Sequence, residues 1–175
     1  MGPIPLLWDR WRLASGLRTR LLLDDVLRSV QPDTRLLLDL KGRDVRLSQH
    51  VLDALRCGDP RGTIVCSRTW RLLEPFSGSD EVRVLHSIGS RRQLRAFLRH
   101  FAPRASDGVS IHARLLDPAV VGELRQRVDV VFSWPVDTLA RARELATWGV
   151  SGMISNRPLL AGELSSAGAV ASRPS

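Results

Sequence analysis

An acid and a base two residues apart stand at the end of an apolar run, Leu36-Leu37-Leu38-Asp39-Leu40-Lys41. In a strand, residues i and i+2 point to the same face, so Asp39 and Lys41 project together from the strand's C-terminal end. Lys41 is the only lysine among 26 lysine and arginine residues. Arginine cannot replace a compact ammonium point charge in a tight site, which gives this lysine a meaning beyond composition. Later apolar runs supply further polar groups at their ends: Ser67, His86, His112 and Asn156. His86 and His112 each close such a run, where a sheet that carries its site at the strand ends would present them at the mouth. Each of these groups has two readings. Asp39 and Lys41 form either a ligand site or a structural ion pair. The two histidines either do chemistry or are half-buried side chains bonded to neighbouring backbone. His50 and His100 fall in helical segments and read as surface or cap residues.

The elements that must position these groups are six short apolar strands alternating with helices. Strands are expected at 36–40, 63–67, 82–88, 108–112, 130–134 and 152–155. A first helix at 21–30 presents Leu22, Val26 and Val30 on one face, and Pro32 should end it. Asp44 or Ser48 can cap the next helix, which runs through Val51, Leu52 and Leu55 to about residue 56. A helix over 70–76 follows. Ser90 is a cap for a helix through Leu94, Phe97 and Leu98, and Pro118 sits in the first turn of another through Val121 and Leu124. The last helix, 138–148, turns Leu139, Ala142 and Leu145 inward and stops at Gly149. Residues 1–12, with two prolines and two tryptophans, read as irregular. Residues 1–160 form one β/α domain, and the Ala/Gly/Ser-rich stretch 161–175 reads as a disordered tail.

Strand–helix alternation of this kind gives a parallel sheet with right-handed crossovers. An open doubly wound sheet and a (β/α) barrel both fit it. No glycine-rich phosphate fingerprint follows any strand, which counts against a dinucleotide fold. Either architecture puts its site at the C-terminal strand ends.

Composition narrows the function classes. The formal charge is +8, but the arginines are spread along the chain, and there is no tyrosine for base stacking. They read as a solvated face, and a basic nucleic-acid binder is the weakest of the functional readings. Trp8, Trp11, Trp70 and Trp148 read as packing residues. No apolar stretch approaches membrane-spanning length. The first residues lack the basic and long apolar regions of a signal peptide, so the expected location is cytoplasmic. Cys57 and Cys66 lack metal-ligand spacing and are expected to be inert thiols in a reduced compartment.

Two segments resemble the glycerophosphodiester phosphodiesterase family. Val130-Val131-Phe132-Ser133-Trp134-Pro135-Val136-Asp137 is similar to a family strand ending Trp-Thr-Val-Asn. A helix then leads to Gly149-Val150-Ser151-Gly152-Met153-Ile154-Ser155-Asn156-Arg157-Pro158, similar to Gly-Val-Asp-Gly-Ile-Ile-Thr-Asp-x-Pro. Upstream, Leu23-Asp24-Asp25-Val26-Leu27 and Leu36–Lys41 resemble the family's Leu-x-x-Val-Leu helix and its Glu-x-Lys strand. The resemblance covers roughly residues 20–160. It implies an α/β fold that is a partial (β/α)₈ barrel, with six parallel strands corresponding to the family's third through eighth. A full barrel takes about 250 residues. It also implies hydrolysis of glycerophosphodiesters to an alcohol and glycerol phosphate, in lipid metabolism, with a divalent metal (Ca or Mg) and a pair of histidines as acid and base.

Carried over residue by residue, the resemblance makes Asp39 a metal- or phosphate-site acid, Lys41 a phosphate contact and Trp134 a pocket wall. The family's His-Arg-Gly and His-Asp motifs have no counterpart in this sequence. The ligand set for the metal is therefore incomplete. His86 and His112 are the candidates to replace the usual histidines, acting on a phosphate held by Lys41, with Ser67, Trp134 and Asn156 completing the substrate site. The expected partner is a glycerophosphodiester or another small phosphodiester, with no nucleic acid and no membrane span. Six strands leave two sheet edges open, through which the chain could self-associate. The competing reading is a non-catalytic anion-binding or scaffold module on the same fold.

Overall fold

The computed structural model describes residues 8–9, 12–13, 22–31, 35–58, 62–77, 79–101, 107–160 and 162–164. Two short strands, β1 (Trp8–Asp9) and β2 (Arg12–Leu13), pair antiparallel where the sequence reads as irregular. Then follow α1 (Leu23–Ser29), β3 (Leu37–Leu40), α2 (Val45–Arg56), β4 (Thr63–Ser67), a 3₁₀ helix (Trp70–Phe76) and β5 (Val82–Ile88). After these come α3 (Arg91–His100), β6 (Gly108–His112), α4 (Pro118–Arg125), β7 (Val130–Trp134), α5 (Leu139–Thr147) and β8 (Gly152–Met153). Trp11, Pro32, the side chain of Trp8 and the stretch 165–175 lie outside the described residues.

Strands β3 to β8 form one parallel sheet in strict sequence order. A doubly wound sheet reverses its strand order at a switch point, and this sheet has no reversal. The helices therefore pack on one face and the sheet curls, giving six strands of a partial (β/α)₈ barrel. Both edges, β3 and β8, lack a further strand among the described residues.

Local chemistry sets the helix ends. Asp44 accepts from Arg46 N at 3.0 Å, Ser90 from Gln93 N at 3.2 Å and Asp117 from Val120 N at 2.8 Å. Each satisfies a backbone donor that the first turn leaves unpaired. Gly149, at φ +91°, closes α5 in a conformation that favours glycine. Three features differ from expectation. Helix α1 packs through Leu23 and Leu27, while Leu22 is 56% exposed. Both sets have i, i+4 spacing, so spacing alone could not choose between the two faces. The 70–76 segment, with Pro75 inside it, is tightened by a Leu72 N to Thr69 O bond of 2.9 Å into a 3₁₀ helix. The last strand keeps two residues, and Ile154 instead bonds back to Ser133.

The core lies between the sheet's outer face and the helices. Val65, Val82 and Val84 meet Val51, Leu52 and Leu55 of α2 and Leu72, Leu73 and Phe76 of the 3₁₀ helix. Ile88, Val109, Ile111 and Val131 meet Leu94 and Phe97 of α3, Val121 and Leu124 of α4, and Ala142 and Leu145 of α5. Full burial of each such side chain contributes about 1.5–3 kcal/mol, enough to hold the curled sheet against its helical layer. The inner face is filled differently. Leu85 and Val130 close over Gly108, where a Cβ would stand 2.4 Å and 2.5 Å from their methyl groups.

Candidate functional site

Strand parity decides which side chains reach the mouth. Partners across a parallel ladder share a face. Asp39 pairs with Cys66, Ser87 with Ser110, and His112 with Trp134, all on the inner face. Asp39, Lys41, Cys66, Arg68, Ser87, Ser110 and Asn156, walled by Leu37, Trp134, Pro135 and Ile154, line a cavity of about 480 Å³. Lys41 Nζ donates to Asp39 Oδ2, as their i, i+2 spacing requires.

Arg68, which the sequence reading passed over, faces the same cavity two residues after Cys66. Its guanidinium rests against Gly89: a Cβ there would be 2.8 Å from Cζ and from Nη2. Gly89 is itself held on both sides. Its N–H donates to Gln93 Oε1 at 3.0 Å, and its carbonyl accepts from Arg114 Nη2 at 3.3 Å. Gln93 Nε2 completes the frame by donating to the Arg68 carbonyl at 3.3 Å. Among the described residues no acid forms an ion pair with Arg68 or Arg114. The cavity is therefore lined by two cations and one carboxylate.

His112 stands beside this cavity, its ring 4.9 Å from that of Trp134. Its Nδ1 accepts from Arg114 N at 3.2 Å, so the neutral ring carries its proton on Nε2. Burial first, then the charges of Arg114 and Arg68, hold its pKa below the ordinary value. His112 is thus a neutral donor at pH 7. Cys66 is buried, and burial together with the Asp39 charge pushes its thiol up to about 12. Without a metal it stays protonated at neutral pH and is a poor nucleophile.

The structure does not bring all the expected residues together. Ser67 and His86 are ladder partners on the opposite face, toward the helices. Ser67 Oγ donates to Leu40 O at 2.8 Å and accepts from Thr69 N at 3.1 Å, a turn-fixing role. His86 is buried among Trp70, Phe97 and Phe101, the last with ring centres 4.2 Å away. Its Nδ1 has no partner there. Asn156 lines the cavity, but its side-chain amide donates to Asp137 Oδ2 at 3.2 Å. Asp137 also accepts from Asn156 N at 2.8 Å and Ser155 Oγ at 3.0 Å, which holds its carboxyl below the usual range. This locks the last loop of the mouth.

The donors do not fit a divalent cation. Calcium takes about six to eight oxygen ligands and magnesium one or two carboxylates plus waters and phosphates. Here Asp39 is engaged by Lys41, Cys66 offers sulfur rather than oxygen, and Asp137 is saturated by Asn156 and Ser155. Among the described residues no three histidine, cysteine or acidic side chains gather in a metal-binding group.

Six parallel strands in order, with helices outside and a cavity lined by Lys41, Arg68 and Asp39 at the C-terminal strand ends, define a partial (β/α)₈ barrel. Among solved structures, the chain is similar to a glycerophosphodiester phosphodiesterase from Thermotoga maritima. The TM-score is 0.67, with 19% identity, covering 81% of this chain and 62% of that one. It is also similar to a phosphodiesterase from Oleispira antarctica solved in complex with the product sn-glycerol-3-phosphate. There the TM-score is 0.57, with 18% identity, covering 74% of this chain and 53% of that one. The chain has a divergent form of the glycerophosphodiester phosphodiesterase fold and spans between half and two thirds of the length of these structures. No protein-family model and no curated protein matches it by sequence. Among the described residues no helix is long and apolar enough to cross a membrane.

Proposed function

We propose that this chain acts on glycerophosphodiesters, holding the phosphoryl group in the mouth of the partial barrel between Lys41 and Arg68. The observation that carries this reading is the facing of both cations into one cavity at the C-terminal strand ends, with a single carboxylate against them. Oriented N–H donors and cations are what a phosphate requires, and an arginine fork matches two of its oxygens. Support also comes from the fold of the neighbours and from the glycerol phosphate held by one of them. Trp134 and Ile154 offer an apolar wall to the glycerol carbons.

The reaction class of this reading is phosphoric diester hydrolysis in lipid metabolism. His112, with its proton on Nε2, is the one imidazole at the mouth among the described residues that could protonate a leaving alkoxide. His86 has no part in it, because its ring faces the helices. The free thiols of Cys57 and Cys66 are consistent with a reduced, cytoplasmic setting.

A second reading, an anion-binding module without turnover, is favoured by the Asp39–Lys41 pair, which occupies the carboxylate a metal would need. Calorimetric titration with glycerophosphoglycerol, alongside an assay for glycerol phosphate release in Mg²⁺ and in Ca²⁺, separates the two. Binding with release supports the hydrolase, and binding without release supports the module. Absence of binding contradicts both.

A further inference from the structure

We infer that Arg68 makes this mouth selective for the dianion of a phosphate monoester over the monoanion of a phosphodiester. The inference rests on the phosphoester reading above and names the charge state that the site prefers.

Asp39 and Lys41 are paired, so together they bring no net charge to the cavity. Arg68 adds one positive charge, and no acid among the described residues offsets it. Arg114 stands on the other side of Gly89, bonded to its carbonyl, and adds to the same field. Both charges are felt at His112, where they add to burial in lowering its pKa. A diester carries one negative charge. A monoester carries close to two above its second pKa of about 6.

Geometry points the same way. The Arg68 guanidinium lies against Gly89. It fills the space that any residue but glycine would take at position 89, and Gln93 fixes both Gly89 and the Arg68 backbone. A guanidinium presents parallel N–H groups to two phosphate oxygens. A monoester has three terminal oxygens, so one remains for the ammonium of Lys41 on the same cavity wall. A diester has only two, because its second ester arm takes the place of the third. The mouth therefore retains the product of diester cleavage better than its substrate. The class of reaction that supplies this ligand is hydrolysis of a phosphodiester.

The test is calorimetric titration of the full chain with sn-glycerol 3-phosphate and with glycerophosphoglycerol, whose second arm is uncharged, at pH 8 and pH 5. The monoester is expected to bind about tenfold more tightly at pH 8, as one extra charge near an arginine implies. At pH 5, where it carries a single charge, the preference should shrink toward one. Arg68→Gln should abolish the preference at pH 8, and Arg68→Lys should keep part of it. Circular dichroism establishes that both variants are folded. Equal affinities in the unmodified chain, or a preference that survives Arg68→Gln, would overturn the inference and leave the phosphoester reading standing. Failure of both ligands to bind would overturn the two together.

Discussion

The guanidinium of Arg68 rests against Gly89, 2.8 Å from where a Cβ at that position would stand. Gly89 does not have a positive φ, so alanine is compatible with its backbone. The clash is with the far end of a flexible side chain, which can swing away. Gly89→Ala should therefore cost less than about 1 kcal/mol of stability while unseating Arg68. Phosphoester affinity should fall about tenfold, as for loss of a charge-assisted fork. Denaturation and calorimetry on the same sample separate the two effects.

Lys41 and Asp39 make opposite predictions. Their ion pair is 36% exposed on each side and contributes little to stability, under about 1 kcal/mol after solvent screening. Lys41→Ala should lower phosphoester affinity by about tenfold or more, since a hydrogen bond to a charged group contributes about 1.5–3 kcal/mol. Asp39→Asn removes the one carboxylate that lines the cavity among the described residues and should tighten binding in metal-free buffer containing a chelator. Weaker binding in Asp39→Asn with Mg²⁺ or Ca²⁺ present, but not in chelator, would instead mark that carboxylate as a metal ligand.

His86 governs a pH dependence of stability rather than of binding. Burial holds its pKa below the ordinary 6.5, against the opposing effects of Asp107 and the Gly108 backbone. Between its folded pKa and 6.5 the unfolded chain binds the proton and the folded chain does not. Stability is therefore full above pH 6.5 and declines as the pH falls below it. His112 is shifted in the same direction and adds to the decline. His86→Leu should flatten the curve of urea midpoint against pH between 8 and 5, leaving a residual slope from His112. Phosphoester affinity at pH 8 should not change.

The six strands were legible because each is a short apolar run bounded by glycine, proline or a capping residue. Asp44, Ser90, Thr138 and Pro118 all stand at helix starts as their chemistry demands. What the sequence hid was the phase of the strands. β4 and β5 are buried on both faces, so Thr63–Ser67 and Val82–Ile88 show no polar–apolar alternation to mark the inner side. Choosing the polar residues nearest each strand end selected Ser67 and His86. Counting in twos around the ladder from Asp39 selects Cys66 and then Arg68, and it places Ser87 rather than His86 inside. The one legible clue to Arg68 was this i+2 relation to Cys66. Lys41, Trp134 and Asn156 were read on the correct side because each lies just at or beyond the end of its run.

Gly108 tests the inner packing that carries the site. A Cβ there would meet Leu85 at 2.4 Å, Val130 Cγ2 at 2.5 Å and the Val130 carbonyl at 2.8 Å, the last being backbone that cannot rotate away. Gly108→Ala should destabilise the chain by about 1–3 kcal/mol or more, read as a lower urea midpoint. Gly122→Ala, where nothing lies within 4 Å of the new carbon, should be neutral or slightly stabilising as a helical glycine replacement.

The central claim, that a phosphoester is held at the C-terminal mouth, is tested most directly by amide chemical-shift mapping of the full chain titrated with glycerophosphoglycerol. A second cavity, at the opposite strand ends, is lined by Arg35, Gly62, Ser79 and Arg83 and serves as an internal control. The account predicts saturable shifts at Lys41, Arg68, Gly89, Arg114 and Asn156, with none at the control residues. Shifts confined to Arg35, Gly62 and Arg83, or none at millimolar ligand, would contradict it.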